Sequence, residues 1–157
     1  MVGEIRDGET AAMAVRIARA TTGRSKVAVC GYHGWHDWYL AANLGADDAL
    51  RGHLLPGLEP AGVPGELRGT TVTFSYNDRQ EFERLLATVG DELACVVMVP
   101  ARHRAPEPGF LECIRAGTRQ HGILLLFDEI TIGFRLCVGG SHLHLGCTPD
   151  MAFFAKA

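Results

Sequence analysis

Two apolar runs in the second half of the chain each end in side chains that can do acid–base chemistry. Residues 124–127 are followed directly by the carboxylates of Asp128 and Glu129, and residues 151–155 are followed by Lys156. A buried strand of an open α/β sheet delivers such groups to the carboxyl end of the sheet, where these folds place their ligands. We therefore predict that Asp128 and Lys156 belong to one site. The residue types alone favour a simpler pair, an ordinary strand-end acid and a surface lysine.

A dense cluster of glycine, histidine and aromatic residues, GYHGWHDWYL at 31–40, follows a short β-rich run at 26–30. The loop after a strand is where α/β folds carry functional residues. His33 and His36 with Asp37 could be metal ligands, but their spacing matches no motif that puts two histidines on one helix face beside a base. Metal binding is therefore the minor alternative, and the sequence predicts no metal site.

The aromatic residues of this cluster are expected to have different roles. Trp35 and Trp38 are predicted to cover the core, because large rings bury much apolar area. Tyr32 stands between two glycines at the strand end. It is the better candidate for a ring that stacks on a flat ligand.

Residues 9–23 (ETAAMAVRIARATTG) are rich in alanine and arginine and end in a glycine, which predicts a helix. Met13, Ile17 and Ala20 recur at spacings of three and four and mark one face of it. Asp7 and Gly8, just before, can form a tight turn whose free amide groups suit a phosphate. An ordinary aspartate N-cap is the alternative, and the local sequence favours it.

Strands and helices alternate along the rest of the chain. Residues 41–69 are rich in glycine and proline and are predicted to be a loop, serving as an active-site flap or a subunit contact. Apolar periodicity then predicts strands at 70–74, 93–99, 123–127 and 151–155, and helices at 78–89 and 108–122. Such alternation implies βαβ units, so the predicted fold class is α/β, with a mainly parallel sheet and helices on both faces.

Composition narrows the function classes. The length of 157 residues with 47% apolar content suits one ordinary domain. A formal net charge of -3 does not indicate a surface that binds nucleic acid or an anionic membrane. No apolar run is long enough to span a bilayer, and no signal peptide is recognisable. The five cysteines are widely spaced without a C-x-x-C pair, which favours reduced thiols in a cytoplasmic protein.

Three separated motifs, GYHGWHDWYL, FDEITIGFR and PDMAFFAK, agree in order and spacing with one known family. They resemble the class III (fold-type I) pyridoxal-phosphate (PLP) aminotransferases, especially the branch containing glutamate-1-semialdehyde 2,1-aminomutase. The resemblance runs over almost the whole chain. It implies a PLP-dependent enzyme, and a fold that is part of the family's large, cofactor-binding domain.

The resemblance assigns roles to individual residues. Asp128 matches the aspartate that pairs with the pyridine nitrogen of PLP and keeps it protonated. Lys156 matches the lysine that forms the internal imine and then moves the proton between the substrate α-carbon and cofactor C4′. Tyr32 and Ile130 match the residues on the two faces of the ring. His33 is also predicted among the cofactor-binding residues.

The phosphate loop departs from the family pattern, which reads roughly Ser-Gly-Thr-Glu-Ala. The corresponding residues here are Arg6, Asp7, Gly8, Glu9 and Thr10. Asp7 and Gly8 are predicted to lie at the phosphate, where Gly8 would offer its amide and Asp7 would bring a negative charge. A second departure is Val99 before Pro100, where the family commonly has glutamate.

The resemblance also carries expectations about the protein as a whole. Residues 1–157 would be a truncated large domain without its N-terminal segment and small C-terminal domain, and the full-length form would be a homodimer. The substrate would be a small amino acid or amino-aldehyde. Intramolecular amino transfer of the aminomutase type is one alternative, a non-catalytic remnant that keeps the fold is a second, and an unrelated doubly wound binding domain is a third.

Overall fold

The computed structural model describes residues 7–45, 49–50, 59–101 and 103–156, apart from the side chain of Asp7. The helices are α1 (Asp7–Thr22), α2 (Asp37–Leu40), α3 (Arg79–Val89), α4 (Phe110–Gln120) and α5 (Ser141–Leu145). The strands are β1 (Lys26–Cys30), β2 (Thr71–Thr73), β3 (Leu93–Met98), β4 (Leu124–Asp128) and β5 (Met151–Phe153). Every predicted strand and helix is present, with ends shifted by at most two residues. The short helices α2 and α5 were not predicted.

The five strands form one sheet in the order β2-β1-β3-β4-β5, and each neighbouring pair is parallel. The predicted α/β class with a parallel sheet is confirmed. Because the chain runs from β1 to β2 on one side and then returns to β3 on the other, the strand order reverses at β1. Open α/β sheets bind ligands in the crevice that such a reversal leaves at the carboxyl ends of the strands.

Alternate residues of the central strands enter two separate cores, one on each face of the sheet. Val27, Val29, Cys95, Val97 and Leu126 pack with α1, α2 and the 3₁₀ turn Ala41–Leu44. Ala28, Cys30, Val96, Met98, Leu125 and Phe127 pack with α3 and α4. Since successive strand residues point to opposite faces, a continuous apolar run is what a sheet covered on both sides requires.

Helix α1 packs against the sheet through a different face from the one that the pattern marked. Its buried residues are the small side chains Ala11, Ala14, Val15 and Ala18. Met13 and Ile17 are 47% and 54% exposed. Small residues let the helix axis approach the sheet closely, so they form the contact although the larger side chains are more hydrophobic.

Two local signals that set helix ends are visible in the structure. Gly23 adopts φ +69° and its amide donates to Arg19 O at 2.9 Å, which ends α1 where the sequence predicted. Asp78 caps α3, because its carboxylate accepts from Glu81 N at 2.8 Å.

The predicted loop at 41–69 lies only partly within the described residues, because 46–48 and 51–58 fall outside them. Its described part contains 3₁₀ turns at Ala41–Leu44 and Gly65–Leu67. Asn43 Oδ1 accepts from Leu50 N at 3.0 Å, which joins the two ends of the gap at 46–48. Within the described ranges, no helix has both the length and the apolarity needed to cross a membrane.

A carboxylate joins the amino-terminal ends of β4 and β5. Asp150 accepts from Leu125 N at 2.8 Å and from two nitrogens of Arg115 at 2.6 and 2.9 Å. Burial by itself would raise the pKa of Asp150, but the hydrogen bonds from Arg115 and Leu125, with the charges of Arg115 and Arg119, lower the pKa below its ordinary value of 3.8. The ionised form of Asp150 therefore stabilises the fold.

Asp150→Asn is expected to lower the free energy of unfolding by about 1 kcal/mol near neutral pH, since the ion pair is partly exposed. The folded-state pKa lies below the unfolded value, so this contribution is present above pH 3.8 and is lost as the pH falls below it. Urea denaturation of both proteins over a pH series measures the difference. A difference of constant size at every pH would contradict the assignment.

Candidate active site

A cavity of about 350 Å³ opens at the carboxyl ends of β1, β3, β4 and β5. This is the crevice expected from the strand order, and its volume is in the range of small-molecule sites. Its walls come from the start of α1 and from the segments that follow the four strands: Gly8, Tyr32, His33, Gly34, Val99, Ala101, His103, Asp128, Ile130, Thr131, Ile132 and Lys156.

A buried carboxylate, that of Asp128, lines this cavity at the end of β4. Asp128 is 5% exposed, its Oδ2 lies 2.8 Å from His33 Nδ1, and its Oδ1 accepts from Ile130 N at 3.0 Å. A charged carboxylate is tolerated in a buried position only where hydrogen-bond donors compensate for lost water. Both oxygens have a hydrogen-bond partner, so the carboxylate is held in a fixed position at the cavity.

The imidazole of His33 is held in place by aromatic neighbours. Its ring stacks on Trp38 with centroids 6.5 Å apart and meets Tyr39 edge-on at 5.9 Å. Tyr39 in turn donates its hydroxyl hydrogen bond to Gly31 O at 2.9 Å. His33 Nε2 is buried and has no hydrogen-bond partner among the described residues. The tautomer with its proton on Nδ1 suits this position, because it donates to Asp128 and leaves no buried N–H at Nε2.

Two more residues that border the cavity are Tyr32, on the loop after β1, and Ile130, two residues after Asp128. Tyr32 is half-buried and rests edge-on against Tyr39, with ring centroids 5.8 Å apart. Ile130 is buried, and its amide is held by Asp128. An aromatic ring and a branched aliphatic side chain offer the flat apolar contacts that a planar ligand needs.

The first turn of α1 closes another side of the cavity through Gly8. The first amide groups of a helix have no partner within the helix, which suits them to an anion. The loop after β1 lies directly against this turn: a Cβ on Gly34, at φ +97°, would come within 2.9 Å of Gly8 Cα. Glycine is therefore required on the loop side. Asp7 begins α1, but its side chain lies outside the described residues.

Comparison with known proteins identifies the family. The sequence profile of the family described as "Aminotransferase class-III" matches residues 8–157. The chain belongs to the class III aminotransferases.

One curated relative is the 3-aminobutyryl-CoA aminotransferase of Cloacimonas acidaminovorans (strain Evry). It is 35% identical over 151 residues, which cover 92% of this chain and 32% of that protein. The chain thus spans about a third of the length of this relative.

Three solved structures share the fold. An ω-transaminase from Sphaerobacter thermophilus is 33% identical with a TM-score of 0.78, covering 96% of this chain and 36% of that one. A transaminase with PLP bound is 28% identical with a TM-score of 0.80, covering 98% and 36%. A glutamate-1-semialdehyde aminomutase from Pseudomonas aeruginosa PAO1 is 26% identical with a TM-score of 0.73, covering 96% and 33%.

The described residues of this class III chain fit the cofactor of the family. PLP is a planar, anionic pyridine aldehyde, and the cavity offers a fixed carboxylate, two apolar contact residues, a helix start and an amine. Lys156 supplies the amine from an exposed position three residues after β5. The predicted residues Gly8, Tyr32, His33, Asp128, Ile130 and Lys156 therefore all border one cavity.

Several residues of the cavity were not singled out from the sequence. Thr131 and Ile132 follow Ile130 directly, and His103 stands on the loop after β3. Their only sequence signal is their position shortly after a strand end, which many residues share. Val99, where the family commonly has glutamate, borders the cavity with Ala101 and gives it an apolar wall.

Two expectations about the loop after β1 have different outcomes. Trp38 is buried as predicted, but Trp35 is 69% exposed, so its predicted place over the core is wrong. The turn at Gly34 directs Trp35 outward before α2 begins.

His33 contacts Asp128 while the ring of His36 lies against Gly8, so the two histidines do not share a ligand position. No group of three or more metal-ligating side chains occurs within the described ranges.

Gly34→Ala is expected to lower the free energy of unfolding by about 2–4 kcal/mol, because it adds a backbone clash with α1 to the strain of a positive φ. Gly62→Ala is the matched control. Gly62 has a similar φ of +89°, but a Cβ there would meet nothing within 4 Å. Urea denaturation should show the larger loss for Gly34→Ala. Equal losses would mean that the loop does not press against the helix start.

Proposed function

We propose that this chain carries the PLP-binding residues of an enzyme that transfers an amino group. The observation that supports it most directly is that the buried, hydrogen-bonded carboxylate of Asp128 and the amine of Lys156 border one cavity. A lysine that holds the aldehyde carbon and an acid that keeps the pyridine nitrogen protonated are the two groups that suit PLP-dependent amino transfer.

PLP, when bound, supplies a protonated pyridine ring that accepts the electrons of a carbanion at the substrate α-carbon. Asp128 would hold the proton on the ring nitrogen by its negative charge, and His33 would keep that carboxylate in place. A neutral acid or amide at this position would leave the nitrogen unprotonated more of the time.

Lys156 has two tasks in the proposed reaction. Its Nζ would hold the cofactor at the aldehyde carbon before substrate arrives. Once displaced by the substrate amine, the same nitrogen would take the proton from the substrate α-carbon and return it at C4′. Both tasks require an amine that reaches the cavity yet can move, which fits an exposed side chain three residues after β5.

The remaining wall residues would bind and orient the cofactor. Tyr32 and Ile130 would contact the ring, and the first amides of α1 at Gly8 would bind the phosphate. Asp7 would lie beside that phosphate, where its charge would weaken binding. The apolar wall of Val99 and Ala101 would exclude water from the reacting carbon.

Transfer between two molecules is the favoured reaction, with a small amino acid or amino-aldehyde as substrate. The aminotransferase of Cloacimonas acidaminovorans and the ω-transaminase of Sphaerobacter thermophilus are more similar in sequence than the aminomutase. Intramolecular transfer stays the alternative.

We also propose a cytoplasmic location, supported by five cysteines without a disulfide, and a homodimer. Sedimentation of the purified protein tests the dimer.

Lysine labelling tests the proposal directly, since Lys26 and Lys156 are the only two lysines in the sequence. Borohydride reduction after PLP addition, followed by peptide mass mapping, should place the pyridoxyl group on Lys156 at least about tenfold more than on Lys26. Lys156→Ala should abolish the label. Lys26→Ala is the control, because Lys26 is paired with Glu92 at 2.9 Å at the opposite end of β1. Equal labelling of both lysines would favour the non-catalytic remnant.

Asp128→Asn keeps the size of the side chain but removes its charge. We expect the dissociation constant for PLP to rise about tenfold or more, because a hydrogen bond to a charged group is worth about 1.5–3 kcal/mol. Asp78→Asn makes the same change at the cap of α3, where asparagine caps equally well, and should leave PLP binding unaltered. Fluorescence titration with PLP measures both, and equal affinities for Asp128→Asn and wild type would refute the role of the charge.

A further inference from the structure

Glu129, which follows the last residue of β4, is buried and is not among the residues that line the cavity. We propose that Glu129 is a positioning residue, which holds the segment after β4 and the end of β5 so that Ile130 and Lys156 face Asp128. The inference rests on the proposed function, because it gives Glu129 a task at that site.

The Glu129 side chain, 1% exposed, accepts three hydrogen bonds from the start of α5. Oε2 accepts from Ser141 N at 2.9 Å, and Oε1 accepts from His142 N and lies 3.0 Å from His142 Nδ1. A Cβ on Gly140 would come within 3.0 Å of Oε1, so the chain approaches the carboxylate as closely as glycine allows. One buried acid thus fixes a point twelve residues along the chain to the end of β4.

The backbone of Glu129 makes two more contacts that lead toward Lys156. Its amide donates to Phe153 O at 3.0 Å, and its carbonyl accepts from Gly133 N at 2.8 Å. A Cβ on Gly133 would come within 2.8 Å of the Phe154 ring. The rings of Phe134 and Phe154 are also 5.6 Å apart. The residues just before Lys156 are therefore held by the turn that Glu129 stabilises.

Capping a short helix does not by itself explain a buried glutamate at this position. A glutamate removed from water costs free energy unless its hydrogen bonds replace hydration. Here the side-chain bonds fasten residue 129 to the start of α5, and the backbone of the same residue bonds to Gly133 and Phe153, which lead to the cavity residues Ile130 and Lys156. A positioning role predicts that loosening Glu129 disturbs Lys156, whereas a purely local cap predicts that it disturbs α5 alone.

Glu129→Gln is the variant that tests this. An amide side chain has one acceptor oxygen, so its NH₂ group would face a backbone N–H that now has no acceptor. Asp150→Asn is the matched control, because Asp150 also joins β4 to the start of β5 through a backbone amide, but at the opposite ends of these strands. Both variants are expected to lose stability, and only Glu129→Gln is expected to affect Lys156.

The first readout needs no cofactor. Reductive methylation with formaldehyde compares the reactivity of Lys156 with that of Lys26 in the folded protein, and hydrogen exchange follows the amides of Gly133, Ser141 and His142. Glu129→Gln should change the Lys156 to Lys26 ratio by about threefold or more and speed exchange at those amides, since loosened support misplaces a functional group. Asp150→Asn should leave both unchanged. An unaltered lysine ratio in Glu129→Gln would overturn the positioning role.

The second readout is selective PLP trapping by borohydride, which should fall by about threefold or more at Lys156 in Glu129→Gln but not in Asp150→Asn. If wild type does not trap PLP on Lys156, the proposed function fails, and the lysine ratio still decides the role of Glu129. If Glu129→Gln does not fold, His142→Ala replaces it, because this change removes only the ring contact to Oε1. An unchanged lysine ratio in His142→Ala would then overturn the inference.

Discussion

The buried contact between His33 Nδ1 and Asp128 Oδ2 is the interaction on which the candidate site depends. Strands β1 and β4 are not neighbours, because β3 lies between them. The contact therefore spans the end of β3, where Val99 and Ala101 are small and apolar enough to leave room. Burying a carboxylate without partners would cost several kcal/mol, so the loop after β1 must place His33 where it can bond to Asp128. The stacked contact of His33 with Trp38 and its edge-on contact with Tyr39 meet that requirement.

Two neighbouring acids have opposite surroundings because side chains alternate along a strand. Asp128 borders the cavity, whereas the side chain of Glu129, one residue later, is bonded to the start of α5. The Asp128 carboxylate can therefore contact a ligand in the cavity, whereas the Glu129 carboxylate bonds to groups of the protein. The alternation of the strand thus separates a binding group from a structural one at adjacent positions.

Close approach of backbone segments shapes the other end of the cavity. Helix α1 lies near the sheet because its contact face consists of alanines and a valine, and the loop after β1 reaches the first turn of α1 because Gly34 and Gly8 lack side chains. Because the small residues of α1 face the sheet, Met13 and Ile17 lie on the exposed face of this helix. Packing distance, rather than hydrophobicity alone, decides which side of the helix is buried.

Local patterns in the sequence determined the strands, the long helices and the parallel sheet, because apolar periodicity and turn residues act over a few positions. The motifs around Tyr32, Asp128 and Lys156 also marked the residues that border the cavity. Only the tertiary structure decided which face of α1 is buried, that Trp35 is exposed, and that His33 pairs with Asp128 over a separation of 95 residues. The same holds for Glu129, which the sequence left as an unassigned neighbour of Asp128. The partners of its side chain are twelve and thirteen residues away, and contacts at that range depend on the tertiary path of the chain, which no local pattern encodes.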